Sequence, residues 1–133
     1  MKQLEPNTEY ESIAFSGCGL LIPYHLGVIK CFRDNNIKFK KASGVSAGNF
    51  AAGAVLELAH LELGIRQTYE LMVQSTVGPF GNLLDNVEDY MNHYVKKDSW
   101  KDAKDRWHVV CATGIIPRTM VCSEFKNFKE LSS

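Results

Sequence analysis

Two hydrophobic rhythms alternate along the chain, and glycine-rich turns separate them. Residues 12–16 (SIAFS) read as a short buried strand that runs into the turn Gly17-Cys18-Gly19. Residues 20–33 read as a helix, with Pro23 tolerated in the first turn and Asn35-Asn36 as the stop. Residues 39–43 form a weaker strand that leads into Gly44-Val45-Ser46-Ala47-Gly48. Residues 47–60 are apolar on nearly every side, as a central helix packed on a sheet would be, and residues 61–73 continue it or form a second helix. A loop is predicted at 76–82 and an amphipathic helix at 83–95. The stretch WHVVCAT at 107–113 is the most strand-like in the chain, a turn follows at 114–118, and residues 119–123 read as the next strand. A final amphipathic segment begins near Lys126, and the polar residues 1–11 predict a frayed N-terminal segment. The order β-α-β-α…β-β-α favours an α/β fold, a three-layer sheet with right-handed crossovers over residues 12–133.

Composition narrows the function classes. The length of 133 residues and a hydrophobic content of 45% fit one globular domain. Fifteen basic residues balance fifteen acidic ones with no charged tail, so bulk electrostatics give no case for nucleic acid. Cys18, Cys31, Cys111 and Cys122 form no CxxC, no histidine stands at zinc-ligand spacing, and no metal is expected. The first residues lack the apolar run of a secretory signal, and the most apolar segment, 50–63, is interrupted by Glu57, His60 and Glu62. The expectation is a cytoplasmic chain with reduced cysteines that can touch a membrane without crossing it.

The strongest chemical signal is Gly44-x-Ser46-x-Gly48. A serine at a strand-to-helix junction must make a sharp turn, and glycines two residues to either side let the chain pass without a Cβ clash. The turn exposes the hydroxyl, and the helix start behind it favours developing negative charge. Composition alone yields this pattern in roughly one chain in 25 of this length, so its placement carries the weight. Gly17-Cys18-Gly19 is the second signal: such turns expose consecutive amides that can hold an oxyanion. A dinucleotide fingerprint is disfavoured, because Ile22 takes the third glycine position and lysines, not an acid, stand along the second strand. Cys18 reads as a small residue that fits the turn before it reads as a reactive thiol.

The remaining polar residues read as structural. Asp85, Asp89, Asp98, Asp102 and Asp105 lie in polar stretches and read as solvated acids. His25, His60, His93 and His108 are the histidines that a catalytic triad could draw on, and none is well placed by sequence. Lys38, Lys40 and Lys41 read as a solvated strand entry before they read as a site for anionic headgroups. Phe80, Leu83 and Leu84 read as a loop tucked on the core before an interfacial one.

A strand ending in GCG, then Leu20, Leu21, Tyr24, His25, Leu26 and Gly27, then GVSAG about thirty residues on, resembles the patatin-like phospholipases, most of all their animal branch. The resemblance runs from about Ser12 to the end and takes in the later WHVVCAT and RTMVCSEF stretches. It implies a Ser-Asp dyad without histidine. Ser46 matches the nucleophile, flanked by Gly44 and Gly48, and Gly17, Cys18, Gly19 and Leu20 match the oxyanion loop. Two departures stand out. Ile22 followed by Pro23 replaces the usual third glycine, and the family's downstream DG[GA] aspartate is missing, since no acid here precedes a glycine. The resemblance therefore implies a partial domain, truncated before its catalytic aspartate. The implied activity is hydrolysis of acylglycerol or phospholipid esters without metal or cofactor, at a membrane or lipid-droplet surface. Alternatives are a catalytically inactive isoform that binds lipid or a partner, and an acyltransferase.

Overall fold

A computed structural model describes residues 3–73, 83–113, 115, 118–127 and 129–130. Its first strand, β1 (Glu9–Phe15), pairs in parallel with β2 (Lys38–Val45), in register from Glu9 opposite Lys38 to Phe15 opposite Gly44. β3 (Trp107–Thr113) joins β2 in parallel from Ala42 opposite Trp107 to Val45 opposite Val110. β4 (Arg118–Cys122) returns antiparallel on β3, giving a mixed four-stranded sheet in the order β1-β2-β3-β4. Mixed α/β architecture is thus established.

Five helices accompany the sheet among the described residues. A single turn at Gly19–Leu21 leads into α1 (Ile22–Asp34), where Pro23 occupies the first turn, the position at which its missing N–H costs nothing. α1 buries Ile22, Leu26 and Ile29 on one face, four and three residues apart. α2 (Gly48–Val55) packs chiefly on β2, and every residue along it from Ala51 to Val55 is buried. Its small side chains permit close approach. A methyl at Gly53 would meet the Trp107 ring at 2.5 Å. α3 (Leu61–Val73), α4 (Leu83–Tyr94) and α5 (Ser99–Ala103) follow, and Gly64 of α3 lies equally tight against Tyr94 of α4.

Two sequence expectations need correction. The helix predicted over 47–60 stops at Val55, because tertiary hydrogen bonds claim the chain beyond it. His60 N–H donates to the Tyr94 carbonyl at 2.8 Å and Lys96 N–H to the Leu58 carbonyl at 3.0 Å, with Glu57 reversing the chain at φ +64°. Residues 61–73 are accordingly a separate helix. At the other end, residues 9–11 are strand and not a frayed tail. They pair with 38–40, where Glu11 meets Lys40 across the strands, and Asn7 N–H donates to the Asn35 carbonyl. α5 was not anticipated at all. The predicted loop at 76–82 lies outside the described residues, as do most of the turn at 114–118 and part of the segment after Lys126. Among the described residues no helix is long and apolar enough to cross a membrane.

Candidate functional site

Parallel pairing decides where the site can be. Phe15 stands opposite Gly44, so β1 and β2 finish side by side and the turns that follow them emerge together. Crevices at the carboxyl ends of parallel strands are the usual ligand positions in open α/β sheets. The two motif turns, 17–20 and 44–48, meet there.

Ser46 is exposed, lies between the last residue of β2 and the first of α2, and holds φ at +52°. A left-handed angle costs a non-glycine residue roughly 1–2 kcal/mol, so the surrounding fold must impose it. The two flanking glycines show how. A methyl on Gly44 would lie 2.4 Å from the Gly48 carbonyl oxygen, and one on Gly48 would lie 2.5 Å from the Ser16 carbonyl oxygen. Neither neighbour is a flexible side-chain tip; both are backbone. The spacing in GVSAG is therefore what lets β2 fold directly back into α2 over the end of β1. Asn49 N–H donates to the Ser46 carbonyl at 3.0 Å, which makes Ser46 the entry to α2 and leaves the amides between them without a helical acceptor.

The glycine turn closes on the same point. A methyl on Gly17 would stand 3.6 Å from Ser46 Cβ, ordinary contact, which puts this turn against the serine. Gly19 holds φ at +51°, a conformation open to glycine at little cost, and Leu21 N–H donates to the Cys18 carbonyl at 2.9 Å. Burial pushes the Cys18 thiol up from its ordinary value, which disfavours the thiolate and the reactive-thiol reading.

Around these turns the surface is apolar. Leu21 and Tyr24 are 69% and 73% exposed, and Leu20 and Val45 are also open to solvent. Ile22, in contrast, is buried in the core. Val45 is the residue that sequence reasoning overlooked, although its place inside GVSAG was the available signal. The position of Phe80 lies outside the described residues, as do the side chains of Leu83 and Leu84.

Among the described residues no acid or histidine hydrogen-bonds the Ser46 hydroxyl, and its Oγ has no hydrogen-bond partner of any kind. Asp89 pairs with His93 and Asp98 with Lys101, both on exposed surface. His25 packs edge-on against Phe15 with ring centroids 5.4 Å apart, and its enclosed Nε2 has no partner among the described residues. His108 stands opposite Ser43 in the sheet, and His60 sits past the end of α2, not along a continuation of it. Lys38 and Lys41 are exposed, while Lys40 is paired with Glu11, which draws the carboxyl of Glu11 below its ordinary value. Among the described residues no cluster of histidine, cysteine and acid could hold a metal ion. Comparison with family models, curated proteins and solved structures found no match.

Proposed function

We propose that the chain is the nucleophile-bearing part of a patatin-like serine lipid acyl hydrolase, with the three-layer arrangement of that family. In this reading Ser46 attacks the acyl carbonyl of an acylglycerol or phospholipid, and amides of the turn at Gly17, Cys18, Gly19 and Leu20 hold the oxyanion. An aspartate from a DG[GA] segment beyond Ser133 takes the serine proton and returns it to the alcohol that departs as the ester C–O bond breaks, and water then hydrolyses the acyl-Ser46 ester to the free acid. The reading needs no metal or cofactor, and it puts the protein in the cytoplasm, at a membrane or lipid-droplet surface. One observation carries it: Ser46 is held at φ +52° by two glycines that backbone contacts forbid to change, with the Gly17 turn against it. The apolar rim of Leu20, Leu21, Tyr24 and Val45 supports an acyl substrate, since buried methylenes contribute about 0.8 kcal/mol each.

Ester hydrolysis tests the reading. General-base loss typically costs 10²- to 10⁴-fold, so the 133-residue chain should hydrolyse p-nitrophenyl butyrate no faster than its Ser46→Ala variant. The protein carried through the aspartate segment should hydrolyse it, and Ser46→Ala should abolish that activity. Ser46-independent hydrolysis by the longer protein would overturn the assignment. A second reading, lipid binding without turnover, is favoured by Ser46 Oγ having no hydrogen-bond partner among the described residues. Sedimentation with liposomes unaffected by Ser46→Ala, together with an inactive longer protein, would select it.

A further inference from the structure

Away from Ser46, the end of α1, the start of α3 and the end of α4 border an open depression of about 480 Å³. Its wall carries Arg33, His60, His93 and Lys96, with Glu62 as the one acid. In a chain of zero formal net charge, two fixed cations and two imidazoles from separate segments converge on one place. Such a concentration of one sign draws an anion into the space it surrounds.

The details sharpen the charge. Arg33 donates through Nη2 to the Ala54 carbonyl at 2.7 Å, which anchors the guanidinium against the end of α2. Its enclosed Nε–H has no acceptor among the described residues. His93 Nδ1 lies 2.8 Å from the Asp89 carbonyl oxygen, so the ring is oriented and Nε2 is left for another partner. The Asp89 carboxylate stands 3.6 Å from the same nitrogen and helps to fix the ring. Glu62 is engaged elsewhere, 3.7 Å from Lys30 Nζ. The first turn of α3, residues 61–63, forms another wall and adds partial positive charge of the same sign.

We infer that this depression binds a phosphate monoester. Donors from three elements suit a tetrahedral dianion with several acceptor oxygens better than a planar carboxylate, which one guanidinium satisfies. The inference is independent of Ser46 and of the hydrolase reading. The dianion is either a soluble phosphate or a lipid headgroup, and two arms separate these sources.

Titration calorimetry of the 133-residue chain with inorganic phosphate at low ionic strength is the first arm. The second is sedimentation with phosphatidylcholine vesicles with and without phosphatidic acid. Lys96→Gln should weaken binding by about tenfold, the effect of one charge-assisted hydrogen bond, and His93→Gln should weaken it too. Glu62→Gln should tighten it by about threefold by removing the competing charge. All three positions are exposed, so an unchanged urea midpoint verifies the fold of each variant. Saturable phosphate binding with this variant pattern establishes a soluble ligand. Binding to phosphatidic acid vesicles alone, with the same pattern, establishes a headgroup. Absence of both, or binding indifferent to Lys96 and Glu62, overturns the inference.

Discussion

Single glycines carry much of the positional information in this chain, and their roles separate by what surrounds them. Gly44 and Gly48 are hemmed by backbone at 2.4 and 2.5 Å, whereas a methyl on Gly27, on the exposed face of α1, would meet nothing within 4 Å. Backbone cannot step aside as a side-chain tip can, so Gly48→Ala should destabilise the fold by about 2–3 kcal/mol. Gly27→Ala should stabilise it by about 0.5–1 kcal/mol, because alanine loses less conformational freedom on entering a helix. Urea unfolding of the two variants checks this, and equal midpoints would refute the steric account of the elbow. The same account explains Ser46. Its left-handed φ is not a preference of serine; it is the one path left between two backbone contacts. That much was legible in the letters GVSAG, because the motif is defined by where a Cβ cannot fit. The exposure of Val45 was not, since a valine at a strand end reads as core until its neighbours are known.

At the scale of elements, α4 is bound to the rest by aromatic side chains. Tyr90 and Tyr94 stack with ring centroids 4.9 Å apart, and Phe50 of α2 meets Tyr90 edge-on at 5.2 Å. Tyr94 donates its hydroxyl to the Phe50 carbonyl at 2.7 Å, while the Tyr90 hydroxyl is enclosed without a partner among the described residues. Burial pushes both phenols above the ordinary value of 10. A raised folded-state value means that the fold favours the neutral phenol. The contribution is therefore complete below the unfolded value near pH 10 and is lost as pH rises beyond it. The urea midpoint should fall steeply above about pH 10, with tyrosinate absorbance rising as the chain unfolds. Tyr90→Phe should blunt that fall and, because it removes an unsatisfied hydroxyl, should not lower stability at pH 7. Tyr94→Phe should cost about 1 kcal/mol at pH 7 by orphaning the Phe50 carbonyl. The amphipathic pattern announced α4 as a helix. It did not announce that the end of α4 would claim residues 58–60 and cut α2 short, because hydrogen bonds between residues 34 and 38 positions apart leave no local period.

For the whole molecule, the sheet has unequal borders. β4 is outermost, and it is exposed from Arg118 to Val121, with Val121 57% and Met120 43% open. Among the described residues no strand pairs with its outer side, and an edge strand with apolar residues on both faces is a template for pairing with another chain. Light scattering should show concentration-dependent association of the 133-residue chain, and Val121→Lys should shift it toward monomer. Association unchanged by this substitution would assign it to another surface. By itself the sequence determined the mixed α/β class, the strand over 107–113, the helix after Gly19 and the strained elbow at Ser46. Each of these rests on a period of two or 3.6 residues, or on the local clash between Gly44 and the Gly48-Asn49 backbone, whereas the contact of Gly48 with Ser16 is tertiary. Only the tertiary structure decided that β1 and β2 finish in register, so that the Gly17 turn lies against Ser46. It also ended α2 at Val55, extended β1 back to Glu9, and gathered Arg33, His60, His93 and Lys96 around one depression. These outcomes depend on contacts between residues distant along the chain, whose free energy no local window contains.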